Sequence, residues 1–257
     1  MKQRCRPVSF LASVTSEVEA QTCVALGADI IDAKNPATGA LGALPAAKVR
    51  AIFESVSARV PVSATIGDLP TDPELVSTAV RATAATGIDI VKIGFWPGGD
   101  GQATLQNLSN LALGRVALVG VLLADQGLEL DLMRPMAEAG FAGVMLDTAD
   151  KASGALPDVL SASVLTQFME TAHGYGMFAG LAGSLRVRHV PELVRLGADL
   201  LGFRGGLCRD GQRSDMIDAD AVRRVRDAIP LAKLTSAQPC FQVGDGGIAP
   251  TQLERTL

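Results

Sequence analysis

Ala25-Leu-Gly-Ala-Asp-Ile-Ile-Asp-Ala-Lys34 closes an amphipathic segment, turns on a glycine and runs straight into a short apolar strand. Glycine suits the left-handed residue that ends a helix, and the Ile-rich run after it suits a strand buried on both faces. The same order of events recurs at Thr86-Gly-Ile-Asp89, Ala139-Gly-Phe-Ala-Gly143 and Leu196-Gly-Ala-Asp199, which makes it an internal repeat of helix end, glycine and strand start. Between and around these points the strand candidates are Val8 to Ala12, Asp29 to Lys34, Val60 to Ile66, Ile88 to Ile93, Val116 to Leu122, Gly143 to Asp147, Met177 to Ala182 and Asp199 to Arg204. Eight consecutive βα units with no GxGxxG after the first strand favour a closed (β/α)8 barrel, a TIM barrel, over a doubly wound open sheet. The barrel is expected over residues 1–230. Residues 231–257 lose the repeat and read as an irregular tail, with Gly244 to Gly247 and Pro250 in it.

Composition agrees with one packed α/β domain. Of 257 residues, 48% are hydrophobic but only 4% aromatic, so Ala, Val, Leu and Ile build the core. The formal net charge of −4, without a dense basic run, argues against nucleic acid as a partner. No stretch approaches a membrane span, and the basic start Met1-Lys-Gln-Arg4 lacks the apolar core of a signal peptide. Cys5, Cys23, Cys208 and Cys240 have no metal-like spacing and read as thiols of a reducing cytoplasm. His173 and His189 both fall in helical stretches away from strand ends, so no metal centre is expected. Alanine-rich barrels often associate through exposed helix faces, which leaves a homo-oligomer open.

Side chains alternate along a strand, and the outer face of a barrel strand must be apolar to meet helices. Ile31 and Ala33 therefore face out, and Asp32 and Lys34 face in, with Lys34 at the C-terminal end where such barrels carry their sites. The same parity turns Lys92 inward between Val91 and Ile93, and Asp147 inward after Val144 and Leu146. One inward Lys–Asp pair is as well explained by a structural ion pair as by catalysis. Three even-numbered strands that each end in an inward charge favour a site, because buried charges are costly unless matched. Desolvation and a second ammonium both lower a lysine's pKa, and the free amine attacks carbonyls to form a Schiff base.

The loops after the seventh and eighth strands, with Gly183-Ser184 and Arg204-Gly205-Gly206, stand where barrels commonly hold a phosphate. Lys151, four residues past Asp147, reads from the sequence alone as a solvated loop residue slightly ahead of a site residue. Asp68 and Asp125, also after strands, read as turn or capping residues.

At these positions the sequence resembles the (5-formylfuran-3-yl)methyl phosphate synthases, which make the furan ring of methanofuran-type cofactors. The resemblance rests on Gly27-Ala-Asp-Ile-Ile-Asp-Ala-Lys-Asn-Pro36 with Gly39 to Gly42, Val62-Ser-Ala-Thr-Ile-Gly-Asp68 and Val91-Lys-Ile-Gly94. It continues through Met145-Leu-Asp-Thr-Ala149 with Lys151, His173-Gly-Tyr-Gly176, Leu181-Ala-Gly-Ser184, and Gly202-Phe-Arg-Gly-Gly206 with Cys208. Residues 8 to 229 are covered; the loop Phe95-Trp-Pro-Gly-Gly-Asp-Gly101 and the chain after 231 depart from the pattern. The resemblance implies a cofactor-free, metal-free lyase that joins two molecules of glyceraldehyde 3-phosphate, with loss of one phosphate and water, for methanofuran or methylofuran synthesis in one-carbon metabolism. It implies Lys34 as the Schiff-base lysine and Lys92 as the proton-transferring residue, with Asp32, Asp147 and Lys151 in support. The alternatives are a generic class I aldolase on triose phosphates and a non-catalytic barrel that binds a sugar phosphate.

Overall fold

The repeated units close on themselves in a computed structural model, which describes residues 8–150 and 153–230 together with the backbone of 241–244 and 247–250. The strands are β1 (Ser9–Val14), β2 (Ile30–Ala33), β3 (Val62–Thr65), β4 (Ile90–Phe95), β5 (Ala117–Leu123), β6 (Gly143–Asp147), β7 (Phe178–Leu181) and β8 (Leu200–Phe203). All are parallel, each pairs with the next, and β1 pairs with β8 to complete a closed barrel. A helix follows every strand, from Glu17–Ala25 after β1 to Ala219–Ala228 after β8. The (β/α)8 architecture is therefore as expected, with β6 at its expected bounds and the other strand ends shifted by one or two residues. β1 runs on to Val14, and β3 starts after Pro61, which has no N–H to give a ladder.

Parity divides the core in two. Ile31, Ala33, Val91, Ile93, Val144 and Leu146 lie in the cluster beneath the helices, while Leu11, Ile30, Ile90, Val119, Met145, Phe178 and Leu200 fill the barrel's interior. Above this apolar plug the inward positions become polar: Ser13, Asp32, Ser63, Thr65, Lys92 and Asp147 are all buried.

The aspartates of the repeat also have a task. Asp29 accepts the Phe10 N–H at 2.7 Å, Asp89 that of Val62 at 2.8 Å, and Asp199 that of Ala179 at 2.9 Å. Each thus satisfies a backbone donor near the start of the preceding strand, on the face opposite the polar layer. Asp199 holds His173 as well, at 2.6 Å. Both histidines sit in helical segments, as expected: His173 in Ala162–Gly174, and His189 in the 3-10 turn Val187–His189. Asp199→Ala would leave the Ala179 N–H buried and unmet, so a loss of about 1–3 kcal/mol in urea unfolding is expected. A change below about 0.5 kcal/mol, the range of an ordinary surface substitution, would remove this role.

In the tail, Phe241–Gly244 and Gly247–Pro250 pair as antiparallel strands rather than irregular chain. In the sequence they flank Asp245-Gly246, a dipeptide suited to two-residue hairpins. Among the described residues no helix is long and apolar enough to cross a membrane.

Candidate active site

Strand register sets the centre of the site. Ser13 on β1 and Ser63 on β3 stand level with Asp32 on β2 from either side. Their hydroxyls donate to its carboxylate at 2.9 and 2.7 Å, and Lys92 Nζ, arriving from β4, completes the set at 2.8 Å. Asp32 is thus a fully matched buried carboxylate. Lys92 is buried; desolvation is the largest influence on it and pushes its pKa down. Asp32 opposes that shift and the ammonium of Lys34 reinforces it, so the net displacement is toward the free amine.

Lys34, immediately past β2, pairs with Asp147 at the end of β6 at 3.1 Å. Its side chain is 11% exposed against 5% for that of Lys92, so Lys34 is the more open of the two. Asp147 Oδ1 also accepts the Thr148 N–H at 2.8 Å, which fixes the carboxylate toward the mouth. Four of the expected catalytic residues, Asp32, Lys34, Lys92 and Asp147, are thereby brought together as two ion pairs. Lys151 lies outside the described residues.

A pocket of about 340 Å³ opens above the pairs, with Lys34, Lys92 and Asp147 in its wall. Of the residues expected to hold phosphate, Gly183, Ser184, Arg204 and Gly205 line it and Gly206 does not. Gly206 packs against the β7 loop, where an added Cβ would meet the Leu185 carbonyl oxygen at 2.8 Å. The Arg204 guanidinium is committed elsewhere. It pairs with Glu19 at 2.7 Å and donates to the carbonyls of Ser13, Arg213 and Asp215, tying β8 to the helix after β1.

Two cations in the pocket wall were not anticipated, Arg186 and Arg213. Arg213 reaches across from the loop after β8 and donates to the carbonyls of Pro36 and Gly39 in the loop after β2. Ser13 escaped notice too, because β1 was expected to stop at Ala12. Ser63 carried a legible signal, an inward polar residue between Val62 and Ala64.

Asp68 and Asp125 are more than turn residues. Asp68, past β3, accepts the N–H groups of Ala40 and Leu41 at 2.7 and 2.6 Å. Asp125, past β5, accepts those of Ala149 and Asp150, both at 2.7 Å. Each holds the loop above a neighbouring even-numbered strand, and Asp150 directly precedes Lys151. Charge-assisted hydrogen bonds of this kind are worth about 1.5–3 kcal/mol. Asp125→Ala is therefore expected to speed amide hydrogen exchange at 149 and 150 by roughly tenfold or more; unchanged exchange would rule out the restraint.

Residues 10–226 match the family model described as 4-HFC-P synthase. The chain is 34% identical to the (5-formylfuran-3-yl)methyl phosphate synthase of Methanocaldococcus jannaschii, over 85% of this chain and 98% of that protein. It is 42% identical to a Methylorubrum extorquens protein provisionally named as the same synthase, over 86% of this chain and 91% of that one. Among solved structures, phosphoribosyl anthranilate isomerase from Thermus thermophilus superposes with a TM-score of 0.61 at 16% identity, covering 86% of this chain and 98% of that one, a likeness of fold. With the match running from β1 through the helix after β8, this chain belongs to the (5-formylfuran-3-yl)methyl phosphate synthase (4-HFC-P synthase) family.

Proposed function

We propose that this protein is a cytoplasmic lyase that joins two molecules of glyceraldehyde 3-phosphate into (5-formylfuran-3-yl)methyl phosphate, releasing one phosphate and water, for methanofuran-type cofactor synthesis. The observation that carries the reading is the pair of inward lysines, each matched to its own carboxylate, under a pocket on the C-terminal face of the barrel. The names of the relatives supply the product. A barrel that merely holds a sugar phosphate has no use for a second lysine beneath the first, since one helix N-terminus or guanidinium suffices for an anion.

In this reading Lys34 Nζ, the more open amine, adds to the substrate carbonyl carbon, and water leaves as the C=N bond forms. Asp147, at 3.1 Å, takes the proton that frees the Lys34 amine. The protonated imine accepts the electron pair left when a proton is removed from the adjacent carbon, and the resulting enamine attacks the carbonyl carbon of the second molecule. Lys92, held by Asp32 and displaced toward the free amine, moves that proton. Phosphate departs with its C–O bonding pair as a neighbouring C–H bond gives up its proton, and water adds back across the C=N bond to release the product and free the Lys34 amine. Lys151, next in sequence to Asp150, is assigned to the leaving oxygen. Gly183, Ser184, Gly205 and the backbone at Arg204 are assigned to substrate phosphate.

Incubation with glyceraldehyde 3-phosphate is expected to yield the furan aldehyde phosphate and one inorganic phosphate for every two substrates consumed. A six-carbon sugar phosphate formed without phosphate release would replace this reading with a plain class I aldolase, and saturable binding without turnover would leave a sugar-phosphate-binding barrel.

A further inference from the structure

Five cationic side chains and two carboxylates line the pocket, and the five cations are not alike. Lys34, Lys92 and Arg204 each face a carboxylate, and Arg213 donates to two carbonyls. Arg186 is different. Its Nη2 donates to the Gly211 carbonyl at 3.0 Å, but its Nη1 is buried and has no partner among the described residues. A buried charged donor left unmet is expensive, and native structures keep such groups chiefly where something else completes them.

The surroundings of this guanidinium are built to leave it open. A Cβ on Gly205 would lie 3.2 Å from Nη1 and one on Gly211 3.0 Å from Nη2, so both flanking residues are side-chain-free where it passes. The loop that carries Arg186 is held in an uncommon conformation, with φ of 100° at Gly183 and 49° at Ser184, a serine in the left-handed region. Such backbone persists where the surroundings impose it, often at ligand clamps. Both residues line the same pocket.

We propose that Arg186 is the anion receptor of this pocket. Its free Nη1 takes an oxygen of a phosphate monoester dianion, the phosphate that stays on the substrate while the other leaves. The assignment of the anion to substrate rests on the function proposed above; the existence of the receptor does not.

The test uses inorganic phosphate as the probe, with calorimetric titration of the wild-type protein, Arg186→Gln and Arg188→Gln, an exposed neighbour on the same loop. Loss of one charge-assisted hydrogen bond should weaken binding about ten- to hundredfold in Arg186→Gln and leave Arg188→Gln unchanged. Should Arg186→Gln not fold, phenylglyoxal labelling of the wild-type protein, mapped by mass spectrometry, carries the test: phosphate is expected to shield Arg186. Wild-type affinity in Arg186→Gln, or labelling of Arg186 indifferent to phosphate, would overturn the proposal. Phosphate binding that depends on Arg186 in a protein that forms no furan product would instead overturn the proposed function and keep the receptor.

Discussion

Lys34→Ala is expected to fold and bind phosphate yet to turn over at less than about a thousandth of the wild-type rate, because the nucleophile is the one group whose loss removes the whole covalent route. The cost in stability is modest. Asp147 loses its ion pair but keeps the Thr148 N–H at 2.8 Å and lies at the wall of an open pocket, where water can replace an ammonium. Lys34→Arg is the sharper variant. A guanidinium keeps the charge opposite Asp147 but stays protonated at any working pH and forms no imine, so it should rescue stability and not activity. If Lys34→Arg recovers more than a few per cent of turnover, Lys34 acts as a charge and the covalent route fails.

Lys92→Met should damage both stability and chemistry. It strands Asp32, a carboxylate 1% exposed, with only the Ser13 and Ser63 hydroxyls, and breaking a buried pair from one side costs about 3–5 kcal/mol. For a chain of this size that is a fall of roughly 6–20 °C in Tm. Adding Asp32→Asn removes the stranded charge, so the double variant should regain much of the loss, a coupling that independent sites do not show. Activity should not return with it, since loss of a proton-transferring group costs about 10²–10⁴-fold. Lys92 also gives stability a pH dependence of known sign. Its folded pKa lies below the ordinary 10.5, so between those values the unfolded chain binds more protons and stability rises with pH. The stabilisation is absent below the folded value and complete above 10.5. Denaturant titrations across that window should show the rise in the wild-type protein and a smaller one in Lys92→Met; equal slopes would contradict the burial of the ammonium.

How far the site was legible follows the range of each interaction. Asp32, Lys34, Lys92 and Asp147 were readable because alternation along a strand is a local rule and the barrel's closure decides which face is inside. What lies beyond the strand ends obeys no such rule. Arg204 next to two glycines looks like an anion site, but Glu19, distant in sequence, comes to it when β8 closes on β1 and takes the guanidinium. Asp68 and Asp125 have the local look of turn residues, while their partners belong to loops of other strands. Asp72, by contrast, caps its own helix before Pro73, as local reasoning would have it. Arg186 and Arg213 enter the pocket through loop folding, and only their contacts across loops reveal them.

Borohydride trapping measures the covalent bond between Lys34 and the substrate directly. Glyceraldehyde 3-phosphate is added to the wild-type protein, the mixture is reduced and digested, and the modified lysine is located by mass spectrometry. A reduced adduct on Lys34, absent from Lys34→Arg, is expected. An adduct on Lys92 instead, which the depression of its pKa would favour, or no adduct in a sample that is releasing phosphate, would contradict it.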